Sequence, residues 1–278
     1  MSEKLHRLLF PFALMLCVCA CAQKAGEPAS QITKADTTLK ITRKMKVEIW
    51  SDVMCPFCYI GTRKFEAAME QCSHRQNVEI EWKSFQLNPS MKTEPGKNIS
   101  QYLAESKGWT LEYARQMNDY VTKMAQESGL NYNFDKVVVA NSFDAHRIIQ
   151  MAKKNGRGDE MEERLFKAYF IEGQNTADHA VLLKLAVEVG LNATDVKKVL
   201  DGQEFATDVN RDLQEASALG INAVPFFVFD RKYGVSGAQQ VNVFLDTLGK
   251  AWEDYCKTTG FSVKDATGAS CQPDGKCK

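Results

Sequence analysis

Two cysteines separated by two residues, in Cys55-Pro56-Phe57-Cys58, stand where an apolar segment gives way to a segment of helical pattern. Residues 45–51 alternate between apolar and polar side chains, which is typical of a half-buried strand. The segment after the cysteines carries apolar side chains mostly three or four residues apart, which indicates a helix. Cys55 is therefore predicted to lie at or just before the first turn of a helix.

This position predicts the chemistry of the two sulfurs. A helix start has unpaired N–H groups and a partial positive charge, and both favour a thiolate over a thiol. Such surroundings lower a thiol pKa from about 8.5 to roughly 3.5–7.5. Cys55 is therefore predicted to be an ionised, accessible nucleophile. Cys58, one turn deeper, is predicted to close the disulfide or to resolve a mixed disulfide. Pro56 suits the opening turn because no N–H is needed there.

Three other uses of the pair are weighed against redox chemistry. Two cysteines at this spacing are half of a zinc site, but Cys256, Cys271 and Cys277 supply no second such pair, and no histidine is near in sequence. A structural disulfide across two residues closes a small loop and stabilises little. Two inert buried thiols would not explain the placement at a helix start. Redox chemistry without a metal or cofactor is the favoured interpretation.

Composition limits the class of protein. The 278 residues are 44% hydrophobic and 25% charged with a net charge of zero, which is ordinary for a globular chain and gives no support to nucleic-acid binding. This length suits one large domain or a domain with an insertion. Nine cysteines are many for a cytosolic protein, and they indicate an oxidising compartment.

The N-terminus has the pattern of a secretory signal. A basic head precedes an apolar run at 8–20, which is too short to span a bilayer. The following Val-Cys-Ala-Cys resembles the bacterial lipobox, which implies a signal peptide at 1–21, an acylated Cys21 and membrane contact only through this lipid anchor. Residues 22–44 are then a flexible tether. The alternatives are a plain signal peptide and a cytosolic start at Met45.

Strict alternation at 78–85 predicts a second strand, and strand, helix and strand make a βαβ unit with a parallel pair. Residues 86–98 contain two prolines and a glycine and are predicted to be a loop. From there to residue 203 the pattern is helical. The predicted helices in this region are 100–107, 111–128, 142–155, 158–172, 178–189 and 194–201.

The last part of the chain returns to strands. A further helix is predicted at 204–219, followed by Ala-Val-Pro and a run of strand-forming residues. Pro225 cannot donate in a central ladder, so it belongs at the first position of the strand, and bonds before proline are the ones that become cis at low cost. A turn at 231–234, a short return strand and a last helix complete an α-β-β-α order.

Several stretches together resemble the DsbA-like branch of the thioredoxin superfamily, and within it the FrnE-type dithiol oxidoreductases. They are the CPFC motif, Ala-Val-Pro before the third strand, KYGVSGAQ at the hairpin, NSFDAHR at 141–147 and the helical block between the halves. The likeness covers about 46–255. It implies the α/β class and a thioredoxin fold with an inserted all-helical domain. The predicted units are 45–99, 100–203 for the insertion, 204–255, and a cysteine-containing tail at 256–278.

The resemblance also implies roles for individual residues. Cys55 attacks and Cys58 resolves, while a cis Pro225 faces the Cys55 sulfur and the Val224 backbone pairs with an extended client. Such main-chain pairing accepts a polypeptide without reading its side chains. DsbA itself has His where this chain has Phe57, and Phe cannot hold a thiolate by charge. The oxidising strength is therefore expected to be less extreme.

Other candidate residues are less constrained. His146 lies on a predicted helix and is interpreted as a packing or capping residue, with support of the active site as the alternative. Cys271 and Cys277 flank a Pro-Asp-Gly turn signal that could bring their sulfurs together. FrnE-type proteins carry such a C-terminal pair, so it is either a second redox pair or a stapling disulfide. Cys72 and Cys256 are expected at the ends of two neighbouring helices.

The predicted function is thiol–disulfide exchange in the bacterial envelope, by a lipoprotein facing the periplasm. Its predicted partners are client proteins with thiols or disulfides and a redox partner that recycles the dithiol, with no nucleic acid. The two residues between the cysteines do not decide whether the protein acts as an oxidase, a reductase or an isomerase. The alternatives are a same-fold isomerase or glutathione-transferase-like enzyme, which generally lacks the second cysteine, and a non-enzymatic metal- or protein-binding lipoprotein.

Overall fold

The structure is a computed structural model that describes residues 44–259. The predictions for the signal peptide, for the acylated Cys21, for nearly all of the tether and for the pair Cys271 and Cys277 lie outside the described residues. They stay predictions. Residues 44–259 all belong to one compact unit. None of the helices within this range is both long and apolar enough to cross a bilayer.

Six strands and nine α-helices make up the described region. The strands are β1 (Met45–Ser51), β2 (Val78–Ser84), β3 (Glu94–Asn98), β4 (Val138–Val139), β5 (Phe226–Phe229) and β6 (Tyr233–Ser236). The helices are α1 (Pro56–Gln71), α2 (Ile99–Lys107), α3 (Leu111–Glu127), α4 (Phe143–Lys154), α5 (Gly158–Lys167), α6 (His179–Glu188), α7 (Ala193–Asp201), α8 (Ala206–Ala218) and α9 (Val241–Thr259).

The main sheet has the order β2-β1-β5-β6. The strands β1 and β2 pair in parallel, with Met45 opposite Val78, and α1 provides the crossover between them. Antiparallel pairing puts Val47 of β1 opposite Phe229 of β5, and β6 continues as a hairpin. The predicted βαβ unit and the α/β fold class are confirmed.

The strand β1 is buried on both faces of the sheet. On one face, α1 and α9 pack together, and the Phe65 ring of α1 has its centroid 5.4 Å from Phe227 of β5 and 5.8 Å from Phe244 of α9. On the other face, Trp50 donates its indole N–H to the Asp212 carbonyl of α8 at 3.1 Å. The prediction of a half-buried strand at 45–51 is therefore wrong, because helices cover both faces.

The predicted helices are confirmed within a few residues, but the region predicted as the insertion, 100–203, is not entirely helical, because it contains β4. Residues 94–98, predicted to be part of a loop, form β3, which pairs antiparallel with β4. The partner strand lies about forty residues along the chain, so the local proline and glycine signals were overridden by a tertiary contact. The helix predicted at 158–172 also ends earlier, because residues 168–172 form a π-helical turn.

A cluster of buried charged side chains lies between the sheet and α8. The Lys83 ammonium lies 3.6 Å from the Glu48 carboxylate and 3.6 Å from that of Asp212, both almost inaccessible to solvent. It also lies 3.1 Å from Glu81 and 3.2 Å from Glu215. Burial lowers the pKa of Lys83, but the facing carboxylates outweigh burial and raise it to about 12. The side chain is therefore a cation at neutral pH.

Lys83→Met is expected to lower the free energy of unfolding by about 3 kcal/mol at neutral pH, because it removes the cation that the buried Glu48 and Asp212 share and leaves them only Arg231 and Lys153, respectively. In the native protein this pKa is raised, so the stabilisation is fully present at neutral pH and is lost only as the pH rises through about 12. Denaturant unfolding measures the change. Lys232→Met, at an exposed site, is the control. Equal free energies of unfolding for the two variants would contradict the stabilising role of Lys83.

Candidate active site

The cysteine pair lies at the start of α1. Cys55 is the N-cap residue and Pro56 the first helical residue. The Cys55 N–H donates to the Asp52 carbonyl at 2.8 Å, and the Cys58 N–H donates to the Cys55 carbonyl at 3.0 Å. Cys55 therefore lies where the sequence pattern predicts it, directly before the first turn.

The loop before β5 approaches this helix start closely. The Val224–Pro225 peptide bond is cis, and the Cys55 thiol donates to the Val224 carbonyl at 3.4 Å. Gly61 of α1 allows this approach, because a Cβ there would lie 2.9 Å from the Pro225 ring. The fold thus brings together residues that are 169 positions apart in sequence.

The sulfur of Cys55 is more enclosed than expected. The residue is 3% exposed and Cys58 is 0% exposed, whereas the sequence interpretation required an accessible nucleophile. The enclosure arises because the Val224 loop and the inserted helices pack around the start of α1, a tertiary effect with no local signal. Pro56 and Phe57 remain half-buried beside the pair, and Leu87 nearby on the chain that follows β2 is 48% exposed.

The second cysteine is held as a thiol. Burial is the largest effect and raises the pKa of Cys58 well above its ordinary value, and the neighbouring Cys55 raises it further. The Asp52 backbone and the Ser51 hydroxyl act in the opposite direction but do not outweigh burial. Cys58 therefore needs a proton acceptor before it can attack another sulfur.

A tyrosine from the inserted region holds the turn between the cysteines. Tyr132 donates its hydroxyl to the Pro56 carbonyl at 2.8 Å, and its ring stacks on Phe170 at 4.6 Å. Burial, followed by the nearby Cys55 and Cys58, raises the pKa of Tyr132. The phenol therefore stays a hydrogen-bond donor at neutral pH. Sequence reasoning missed this residue, because nothing in its neighbourhood distinguishes it from a core aromatic.

His146 lies beneath the loop that leads to Cys55. It is on α4, is fully buried, and its Nε2 lies 3.5 Å from Asp52 Oδ1. Asp52 also accepts hydrogen bonds from the backbone N–H groups of Met54 and Leu87. Burial lowers the pKa of His146, but the Asp52 carboxylate outweighs it and the net shift is upward. His146 thus packs against the active-site loop and does not cap its helix.

An apolar cavity of about 260 Å³ adjoins the cysteine turn. Its lining includes Met54, Pro56 and Leu87 near the cysteine turn, and Tyr169 and Phe170 of the inserted region. Among residues 44–259, no three or more His, Cys, Asp or Glu side chains are grouped so as to hold a metal ion.

Cys72 and Cys256 are placed differently from each other. Cys72 is the C-cap of α1, as expected, whereas Cys256 lies inside α9, which continues to Thr259. The last helix therefore ends a few residues later than expected, while the division of the chain into domains and a tail stays a prediction. The two helices pack against each other, and both cysteines pack on the same apolar core.

Comparison with known proteins now identifies the family. The model of the DSBA-like thioredoxin domain matches residues 46–249, which is most of the chain. The chain belongs to the DsbA-like thioredoxin family. This confirms the fold class and the superfamily that the motifs indicated, while the FrnE-type subgroup stays a prediction. DsbA-like oxidoreductases generally act on thiols or disulfides, so membership supports a thiol–disulfide oxidoreductase type of function.

Individual relatives agree with this assignment. The uncharacterised protein YwbO of Bacillus subtilis (strain 168) is 32% identical over 200 residues, which cover 71% of this chain and 92% of YwbO. The structure of SCO1869 from Streptomyces coelicolor, described as a probable DsbA oxidoreductase, is 36% identical with a TM-score of 0.73, covering 84% of this chain and 98% of that one. The cytosolic disulfide reductase DsbM of Pseudomonas aeruginosa shares the fold at 17% identity and a TM-score of 0.52, covering 77% and 98%.

Gly61→Ala is expected to slow thiol–disulfide exchange by about 10-fold or more, because the new methyl group must displace the Pro225 ring from the nucleophile. Reduction of insulin disulfides measures the rate. The matched control is Gly249→Ala on α9, where a Cβ meets nothing within 4 Å. The control should keep its rate and gain about 0.5–1 kcal/mol of stability. Equal rates in both variants would show that the close approach is unimportant.

Proposed function

We propose that this DsbA-like protein exchanges thiols and disulfides with client proteins through Cys55 and Cys58. The observation that carries the proposal is the contact of the Cys55 thiol with the Val224 carbonyl, 3.4 Å apart, beside the cis Pro225. This contact puts a nucleophile at a helix start next to a main-chain edge. Cys58, which neighbours Cys55 and is fully buried, then completes the exchange.

In the reducing direction, the Cys55 thiolate attacks one sulfur of a client disulfide and releases the other client sulfur as a thiolate. The Cys58 sulfur then loses its proton and attacks Cys55, which forms the Cys55–Cys58 disulfide and releases the second client thiolate. Two electrons pass from the enzyme dithiol to the client. In the oxidising direction, a client thiolate attacks the Cys55–Cys58 disulfide and the same steps run in reverse. A separate redox partner recycles the pair.

Client binding is expected to use main-chain contacts and apolar surface. The Val224 edge can pair with any extended polypeptide, since main-chain hydrogen bonds do not read side chains. Leu87 and the cavity beside Pro56 add apolar contact area close to the nucleophile. Phe57 brings no charge near Cys55, so the disulfide is proposed to be a milder oxidant than one with His at this position.

The protein is further proposed to lie in the bacterial envelope as a lipoprotein held by Cys21, with Cys271 and Cys277 as a candidate second redox pair. The sequence pattern at 18–21 and the cysteine content support this location.

Cys21→Ala should abolish incorporation of labelled palmitate and release the protein from the membrane fraction. Unchanged membrane association without label incorporation would remove the anchor from the proposal.

Cys58→Ala is expected to accumulate disulfide-linked client adducts on Cys55, because the variant can attack but cannot resolve. The protein is isolated under oxidising conditions and its adducts are separated by non-reducing electrophoresis. Mass spectrometry then identifies the cysteine that is linked to the client. Cys55→Ser should lower insulin reduction to the uncatalysed background, whereas Cys256→Ser, on α9, should leave it unchanged. Absence of reducible adducts together with full turnover in Cys55→Ser would exclude this function and favour a binding protein or a same-fold isomerase.

A further inference from the structure

The Tyr132 phenol is held at the start of α1 by two contacts with Phe170, which belongs to the π-helical turn. The two rings stack with centroids 4.6 Å apart, and the N–H of the next residue, Asn133, donates to the Phe170 carbonyl at 2.8 Å. Tyr132 is 7% exposed, and its hydroxyl donates to the Pro56 carbonyl at 2.8 Å. The inserted region therefore fixes a hydrogen-bond donor on a peptide group between the two cysteines.

This hydrogen bond is not needed to pair the Pro56 carbonyl. Pro56 is the first residue of α1, so its carbonyl already accepts an N–H from within the helix, and a carbonyl oxygen has two lone pairs. The Tyr132 hydroxyl is therefore a second donor to an oxygen that is already paired. Removal of the hydroxyl alone should leave the helix start in place.

The Pro56 carbonyl shares its peptide group with the Phe57 N–H. The two ends of a peptide group are conjugated, so a hydrogen bond at the oxygen polarises the N–H and makes it a better donor. Of the first three residues of α1, Pro56 has no N–H, and Cys58 donates its N–H to the Cys55 carbonyl at 3.0 Å. Because a side chain at the N-cap accepts from the second or third helical residue, the Phe57 N–H is the donor left for Cys55.

The hydrogen-bond partner of the Cys55 sulfur depends on its protonation. As a thiol, it donates to the Val224 carbonyl at 3.4 Å and makes no hydrogen bond to the N–H groups at the start of α1. A thiolate cannot donate, and a carbonyl oxygen repels it, so the ionised sulfur requires N–H donors instead. The Phe57 N–H, two residues along the chain, meets this requirement.

We propose that Tyr132 strengthens the Phe57 N–H as a donor to the Cys55 thiolate, and so makes the disulfide of the pair a stronger oxidant. The proposal rests on the exchange chemistry proposed above. A thiolate exists only in the reduced protein, so its stabilisation favours the dithiol over the disulfide. Tyr132 acts through a peptide group and not on the sulfur itself, so it is a positioning residue.

The phenol of Tyr132 stays neutral in this role. Burial raises its pKa, the nearby Cys55, Cys58 and Tyr59 raise the pKa further, and Arg63 acts in the opposite direction. Removal of the hydroxyl therefore leaves the charge near the sulfurs unchanged at neutral pH. Tyr132→Phe tests the hydrogen bond alone, because the stacked ring remains.

Equilibration of the full-length protein with glutathione measures the oxidising strength. The protein disulfide and two molecules of reduced glutathione give the protein dithiol and one molecule of glutathione disulfide, so two electrons pass to the protein. Mass spectrometry of the peptide that contains Cys55 and Cys58, after acid quenching and alkylation, gives the equilibrium constant. Tyr132→Phe is expected to lower this constant about 3-fold, which corresponds to a potential more negative by about 14 mV.

Tyr233→Phe is the matched control for this measurement. It also removes a phenol hydrogen bond, which Tyr233 donates to Asp254 at 2.7 Å. Tyr233 pairs with Phe229, at the end of β5 that is farther from Pro225. This variant should keep the wild-type equilibrium constant.

Alkylation of the reduced protein by iodoacetamide separates stabilisation of the thiolate from access to the sulfur. The pH midpoint of Cys55 labelling is expected to rise by about 0.5 in Tyr132→Phe, which is the same 3-fold change, and to stay unchanged in Tyr233→Phe. At high pH, where the sulfur is ionised in every variant, Tyr132→Phe should react at least as fast as the wild type. A displaced or covered sulfur would instead react more slowly at every pH.

A stronger donor at the same position should shift both quantities in the opposite direction. Tyr132→3-fluorotyrosine, introduced by nonsense suppression, carries a more acidic phenol on a ring of nearly the same size. Its pH midpoint should fall, and its potential should become less negative. This variant tests the proposal even where Tyr132→Phe does not fold.

The proposal is overturned by a potential and a pH midpoint that stay at the wild-type values in both Tyr132 variants. Slower alkylation at every pH without a shift of the midpoint would overturn it as well. The hydrogen bond would then stabilise both redox states equally, and denaturant unfolding would show the same loss of stability in each. If glutathione disulfide forms no Cys55–Cys58 disulfide in the wild type, the proposed exchange activity itself fails, which is a separate outcome.

Discussion

The pairing of β1 with β2 on one side and β5 on the other is the interaction on which the site depends. Because the parallel β2 and the antiparallel β5 both bond to β1, the end of β1 is held in the centre of the sheet. Cys55 follows that end by four residues, and Val224 and Pro225 precede β5 directly. The hydrogen bonds of β1 with its two neighbours therefore bring Cys55 and the Val224–Pro225 segment to the same edge of the sheet. The 3.4 Å contact between the Cys55 thiol and the Val224 carbonyl follows from this arrangement.

The inserted helical region does more than cover the sheet. It supplies Tyr132, which donates a hydrogen bond to the turn between the cysteines, and His146, which packs against the loop before them. The insertion also encloses the nucleophile. Burial in this region also raises the pKa of the Glu162 carboxyl to about 7, because desolvation opposes its charge.

Most of the fold was predictable from the sequence because its elements carry strong local signals. The apolar spacing of the helices, the position of Pro225 before a strand and the cysteine pair before α1 all depend on residues within one or two turns of each other. Predictions failed where a distant partner decided the outcome. The strand β3 exists only because β4 pairs with it, and β1 is buried on both faces because α8 covers the second face.

By itself, the sequence determined the chemistry available to this protein, namely a dithiol at the start of a helix and a proline at the beginning of a strand. Only the tertiary structure decided which groups surround the two sulfurs. Tyr132 and Phe170 come from separate segments of the inserted region, and neither has a local pattern that sets it apart from other core residues. Their roles arise from burial and from distances between chain segments, and these quantities do not exist until the chain has folded.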